Sequence, residues 1–208
     1  LPCTPTSYSF QRKTWHDGSR YWRSYYDQTD NRLEFEYSAD GTSWTENTSA
    51  RVTLPIPDFS VEADGSNIML VYTSGPDIKG RVGSSYPGTS FSWAAESTIL
   101  DGTNTITDGY NFPTISRDSS SYVWVASKYS GSGVYFVKTI KETSATNNLP
   151  EDSDDAVYSL SDTDNTNNNV YGSLSSLGSQ NMYLTFAYGT AIQGCRWVNT
   201  STDWQDGN

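Results

Sequence analysis

The chain has 208 residues, 14% of them aromatic, and sets only 13 Lys plus Arg against 24 Asp plus Glu. The resulting formal net charge of −11 excludes nucleic acid and an anionic membrane surface as partners, since both would repel the chain at long range. No apolar run approaches the roughly 20 residues that cross a bilayer, so no membrane insertion is expected, and no window repeats apolar residues at helical spacing. Short Tyr/Val/Trp/Phe-rich stretches between Ser/Thr/Asn/Asp/Gly runs are the composition of an all-β domain.

In chain order, one unit recurs four times: a strand, a tight polar turn, a strongly apolar strand, a second turn and a third strand. The turns are Asp17-Gly18, Asp64-Gly65, Asp118-Ser119 and Leu177-Gly178. Asp-Gly between alternating strands favours a two-residue type I′ hairpin, because both central positions need positive φ. The strands after the turns read Tyr21 to Tyr26, Ile68 to Tyr72, Tyr122 to Ala126 and Met182 to Phe186, several with large residues on both faces. A strand covered on both sides is what the inner strands of packed blades require. The third strands are Arg32 to Tyr37, Ile78 to Gly83, Gly133 to Lys138 and Gly194 to Asn199, while polar insertions at Glu142 to Asp155 and Ser161 to Asn169 lengthen the later loops. The pattern predicts a single β-propeller domain over 1–208, with repeats at roughly 8–51, 52–105, 106–160 and 161–208. The four antiparallel blades form a closed ring or part of a larger propeller.

The first repeat ends in Ser38-Ala39-Asp40-Gly41-Thr42-Ser43-Trp44. The Ser38 and Asp40 oxygens can satisfy the turn's own backbone donors, Gly41 permits positive φ, and Trp44 is expected to bury against the sheet. This segment resembles the Asp-box, or BNR repeat, of the sialidase-like propeller superfamily, where its role is structural. Weaker echoes are Ser85-Tyr86-Pro87-Gly88 leading to Trp93, and Ser201-Thr202-Asp203-Trp204. Cys3 and Cys195 stand at opposite ends of the chain, where a disulfide would fasten the first blade to the last; two free thiols are the alternative.

His16 is the only His, so no multi-His metal site is expected, and neither a phosphate loop nor a CxxC is present; no cofactor and no metal are expected. The resemblance implies, for sialidase chemistry, an Arg cluster, a Tyr nucleophile supported by Glu, and an acid/base Asp. None of the arginines stands in the Arg-Ile-Pro context that opens that family's site, and Leu54 replaces Arg in Leu54-Pro55-Ile56-Pro57-Asp58-Phe59. The same stretch is similar to the opening blade of five-bladed glycosidases, which implies Asp58 as a catalytic carboxylate with Glu62 beside it. Aromatic rings at blade ends can also stack on sugars without any catalytic pair, and Trp15, Tyr21, Trp22, Tyr110 and Tyr129 are the candidates. The sequence is therefore read as an extracellular interaction, adhesion or assembly module without sialidase chemistry, its partner a carbohydrate or another surface protein. The alternative is a glycoside hydrolase on Asp58. A secreted or cell-surface location is expected, with sequons at Asn47 and Asn199.

Overall fold

The computed structural model describes residues 11–103, 108–145, 148–153, 156–160, 170–188 and 191–206. Their strands form four antiparallel sheets, the blades of a β-propeller. Blade one holds β1 (Thr14–His16), β2 (Tyr21–Asp27), β3 (Arg32–Ser38) and β4 (Thr45–Glu46). Blade two holds β5 (Phe59–Ala63), β6 (Ile68–Ser74) and β7 (Asp77–Ser84), and its outer edge is shared by β8 (Ser92–Trp93) and β9 (Ser97–Leu100), which both pair with β7. Blade three holds β10 (Gly109–Arg117), β11 (Val123–Gly131), β12 (Val134–Lys141) and β13 (Ala156–Leu160). Blade four holds β14 (Val170–Ser176), β15 (Met182–Tyr188), β16 (Ala191–Val198) and β17 (Asp203–Asp206). The described residues contain no α-helix and only one 3-10 turn, Thr48–Ala50.

The apolar second strands glue the blades together because successive side chains of a strand point to opposite faces. On β6, Ile68, Leu70 and Tyr72 enter a core shared with blade one, while Met69 and Val71 enter a core shared with blade three. On β11, Val123 and Val125 face blade two, and Trp124 and Ala126 face blade four. The first core is aromatic: Phe91 meets Trp22, Phe35, Tyr86 and Trp93 at ring-centroid distances of 5.3 to 5.9 Å. Among the described residues no fourth apolar cluster joins blades four and one. The remaining face of blade one is charged, carrying Arg23–Glu36 and the Arg32–Glu34–Arg51 chain, and that of blade four exposes Thr185, Arg196 and Ile192, the last at 79%.

The turns differ from the two-residue hairpins expected. Asp17 opens a four-residue loop closed by its own N–H donating to the Arg20 carbonyl at 3.0 Å, and Asp64 does the same with Asn67. Only Gly18 has positive φ; Gly65 does not. The reason is the aspartate side chain: Asp17 Oδ1 accepts from the N–H groups of Ser19 and Arg20 at 2.8 and 2.7 Å, and Asp64 Oδ1 from those of Ser66 and Asn67 at 3.0 and 2.9 Å, which holds a wider loop than type I′.

The Ser38–Trp44 turn has the local bonding expected of it. Ser38 Oγ accepts from the Gly41 N–H at 2.9 Å, Asp40 Oδ1 accepts from the Thr42 and Ser43 N–H groups at 2.8 Å each, and Gly41 has φ +75°. These donors hold the Asp40 carboxyl well below the usual carboxylate range. Trp44 departs from expectation: it is half-buried on the charged face of blade one, with the Arg23 guanidinium 4.2 Å from its ring centroid. The echoes are half-buried too, but pack against the apolar cores. Trp93 donates its indole N–H to the Ala50 carbonyl at 2.7 Å, and Trp204 donates to Thr139 Oγ1 at 3.2 Å.

Candidate axial site

The first strands of blades two, three and four lie side by side about an axis, with β10 between β5 and β14, and β5 and β10 run the same way. Asp58, at the start of β5, meets Phe112 near the start of β10, while Asp64, beyond the end of β5, meets Arg117 at the end of β10. The segment leading into β1 lies beside β5, where the Val61 N–H donates to the Arg12 carbonyl at 2.9 Å. Together these strands line a cavity of about 240 Å³ bounded by Gln11, Arg12, Ser60, Thr114 and the Ser173–Ser175 stretch. Small hydroxyl residues on the axial faces leave this space open, because a propeller axis filled by large apolar side chains would be solid core.

Asp58 is buried at the N-terminal end of this axis and joins three elements. Its Oδ2 accepts from Thr73 Oγ1 at 2.5 Å and from the Phe112 N–H at 2.6 Å, and its Oδ1 accepts from the Gln11 amide. Burial raises its carboxyl above the ordinary value, against the pull of those donors and of Lys13. Phe112 has φ +56°, unusual for an aromatic residue, at an irregularity of the β10–β11 register between Asn111 and Thr114. That irregularity turns its N–H toward Asp58. Further along β5, Glu62 is 7% exposed and pairs with Arg12; burial lifts its carboxyl to about 7, against the pull of Arg12 and Arg117.

Basic groups gather at the same axis. Lys13 is 4% exposed, its ammonium 4.3 Å from the Phe59 ring centroid, and burial pushes it down to about 8 while Asp58 pulls it up. Arg117 is buried and donates to Asp64 Oδ2 at 2.7 Å. Lys128 is buried against the rings of Phe112, Tyr135 and Tyr171, and desolvation lowers it to about 8. Several buried polar atoms on this axis have no protein partner among the described residues: Gln11 Oε1, Lys13 Nζ, Asn111 Oδ1 and Thr114 Oγ1. Each such group costs on the order of 1–3 kcal/mol unless something polar meets it.

The aromatic candidates lie elsewhere. Trp22 is 1% exposed in the core between blades one and two, and Trp15 stacks on it at 5.9 Å while donating its indole N–H to Tyr86 Oη at 3.0 Å. Tyr21 is half-exposed beside His16. Tyr110 is buried, 5.2 Å from the Tyr129 ring, and its hydroxyl accepts from Lys138 Nζ at 2.9 Å. None of Trp15, Tyr21, Trp22, Tyr110 and Tyr129 lines the axial cavity. Asn47 is 2% exposed and its side-chain nitrogen is buried, so this sequon has no room for a glycan in the folded chain. Asn199 is half-buried in the loop after β16. Cys195 is buried in the core between blades three and four, and Cys3, with the bridge expected of it, lies outside the described residues. Asp27, Asp30 and Glu34 bring carboxylate oxygens within 4.8 Å of one another, but Arg32 already pairs with Asp30 and Glu34 there.

Comparison with known proteins establishes the fold. No protein-family model and no curated protein matches the chain. Among solved structures, it is similar to a polysaccharide lyase, an ulvan lyase, with TM-score 0.60 and 11% identity, covering 97% of this chain and 54% of that one. It is also similar to the intramolecular trans-sialidase of Ruminococcus gnavus (TM-score 0.59, 16% identity, 94% of this chain and 44% of that one). A third is a GH43 endo-arabinanase of Bacillus licheniformis (TM-score 0.52, 15% identity, 90% and 73%). The chain thus shares a propeller fold with glycoside hydrolases and lyases and spans about half the length of the first two.

Proposed function

We propose that the chain is a carbohydrate-active β-propeller, secreted or held at the cell surface, that receives a sugar residue in its axial cavity. The observation that carries this reading is the set of buried polar atoms at the axis that have no partner among the described residues, of which those of Gln11 and Thr114 belong to residues lining the cavity itself. Hydroxyl groups are the complement of such a lining, since each can donate to Gln11 Oε1 and both donate to and accept from Thr114 Oγ1. The volume, below the roughly 300–1,000 Å³ of pockets for drug-sized ligands, suits one ring or a chain end.

Glycan cleavage is the second reading, and the similar structures favour it over a purely adhesive module, as does a Glu62 carboxyl that keeps its proton close to neutral pH. Asp58 and Glu62 do not form a glycosidase pair between themselves. Four residues apart on one strand, they are separated by about 13 Å along it, beyond the roughly 5–9.5 Å that either stereochemical course uses. Glu62 is then the proton donor and Asp58 the clamp that fixes the axis. A glycan array, run beside a hydrolysis assay on released oligosaccharides, tests both readings. Binding that Thr114→Val weakens supports the axial site; turnover that Glu62→Gln abolishes with binding retained supports cleavage. If no oligosaccharide binds, the proposal fails.

A further inference from the structure

Resting on that reading of the axial site, we infer that its sugar is anionic, bearing a carboxylate or a sulfate, and that Arg12 receives the charge with Lys13 behind it. The argument begins with where the cations are. The whole chain has only 13 Lys and Arg and a net charge of −11, yet Arg12, Lys13 and Arg117 lie on or beside the first strands, and Lys128, on β11, packs against Phe112 and Tyr171 of two of them. Against them stand Asp58, Glu62 and Asp64, of which Asp64 is taken up by Arg117 and Glu62 is lifted by burial to about 7. Cations thus match the acids beside the cavity, although the chain as a whole carries a net charge of −11.

Two further features point to an anion rather than to a neutral sugar. The Lys13 ammonium, next to the cavity-lining Arg12 in the chain, is buried with no hydrogen-bond partner among the described residues, beside an Asp58 whose oxygens are already bonded to Thr73, Phe112 and Gln11. A buried cation in this condition is costly, and a ligand anion relieves it more than a hydroxyl does. Arg12 lines the cavity, and its side chain, 44% exposed, keeps donors beyond the one given to Glu62. A guanidinium offers five N–H donors in a planar fork that fits a carboxylate or a sulfate edge.

The test is calorimetric titration of the full chain, at one ionic strength, with a uronic-acid oligosaccharide, its carboxyl-reduced counterpart, and the same neutral oligosaccharide bearing a sulfate ester. At least one anionic form is expected to bind about tenfold more tightly than the neutral form. Whichever anionic arm gains identifies the source of the charge. Arg12→Gln is expected to erase the preference and Arg12→Lys to restore part of it; the open position of Arg12 keeps these variants folded, which thermal melting checks. Lys13→Met is expected to weaken the anionic ligand alone. Equal affinity for the neutral and both anionic forms overturns this inference and leaves the saccharide site standing. Absence of binding by all three overturns both.

Discussion

Glu62 shows at the scale of one residue how the axis trades stability for chemistry. Burial raises its carboxyl from 4.5 to about 7, the opposite of the usual acidic case. The folded protein binds the extra proton between about pH 4.5 and 7, so this contribution to stability is complete below the unfolded value and is lost as pH rises through 7. Arg12, Arg117 and Asp64 are the charged groups that act on it. Glu62→Gln should therefore raise the melting temperature at pH 8, by an amount equivalent to as much as about 3 kcal/mol, and leave it nearly unchanged at pH 5; thermal unfolding at the two pH values checks this. Asp17 behaves in the ordinary direction. Burial works to raise it, but the Trp22 indole N–H at 2.7 Å and the loop amides hold it below its usual value. Its stabilisation is present above the unfolded value and is lost as pH falls. Asp17→Ala leaves that indole donor unmet and should cost about 2–3 kcal/mol in denaturant titrations. Asp58 and Glu62 are visible in the sequence as acids beside an apolar strand start. Gln11, Arg12 and Thr114 are not, because they come from different blades and carry no local motif. The one signal available was the run of small hydroxyl residues, Ser60, Thr114, Ser173 and Ser175, in the first strand of each later repeat.

At the scale of the element, the second and third strands were legible because period-two alternation with large residues on both faces has one structural meaning, burial between two sheets. The turns were legible in place but not in type, since a dipeptide cannot show whether the aspartate side chain will bond the loop's own amides. The Asp-box was legible in its hydrogen bonds and misleading in its tryptophan. Trp44 needs an opposing blade to bury it, and the face it covers meets Arg23 and the Glu36 ion pair instead. Its cost on truncation follows from this. Trp44→Ala should lose about 1 kcal/mol, the scale of an exposed cation–π contact, whereas Trp22→Ala should lose about 3–5 kcal/mol from a filled core. Parallel urea titrations of the two variants separate them, and equal losses would mean that the box is buried after all.

The whole molecule has three apolar joints for four blades among its described residues, and this inequality predicts its dynamics. Blades two and three are backed on both faces, whereas blades one and four each present one polar face. Native-state hydrogen exchange should therefore find the slowest amides in β6 and β11, and the first sub-global opening should free blade four or blade one. Equal protection across all four blades would contradict this ordering. The sequence left open whether the ring closes, and the reason is physical: closure depends on how two blade faces meet far apart in the chain, and neither face carries an apolar pattern that would announce its partner. β6 makes the three-joint arrangement experimentally useful, since it works as a party wall between two rooms. Leu70 furnishes one room and Val71 the other, although they are neighbours in the chain. Leu70→Ala should loosen the hold on blade one and Val71→Ala the hold on blade three, so a walk along five consecutive positions would alternate between the two joints of blade two with every step.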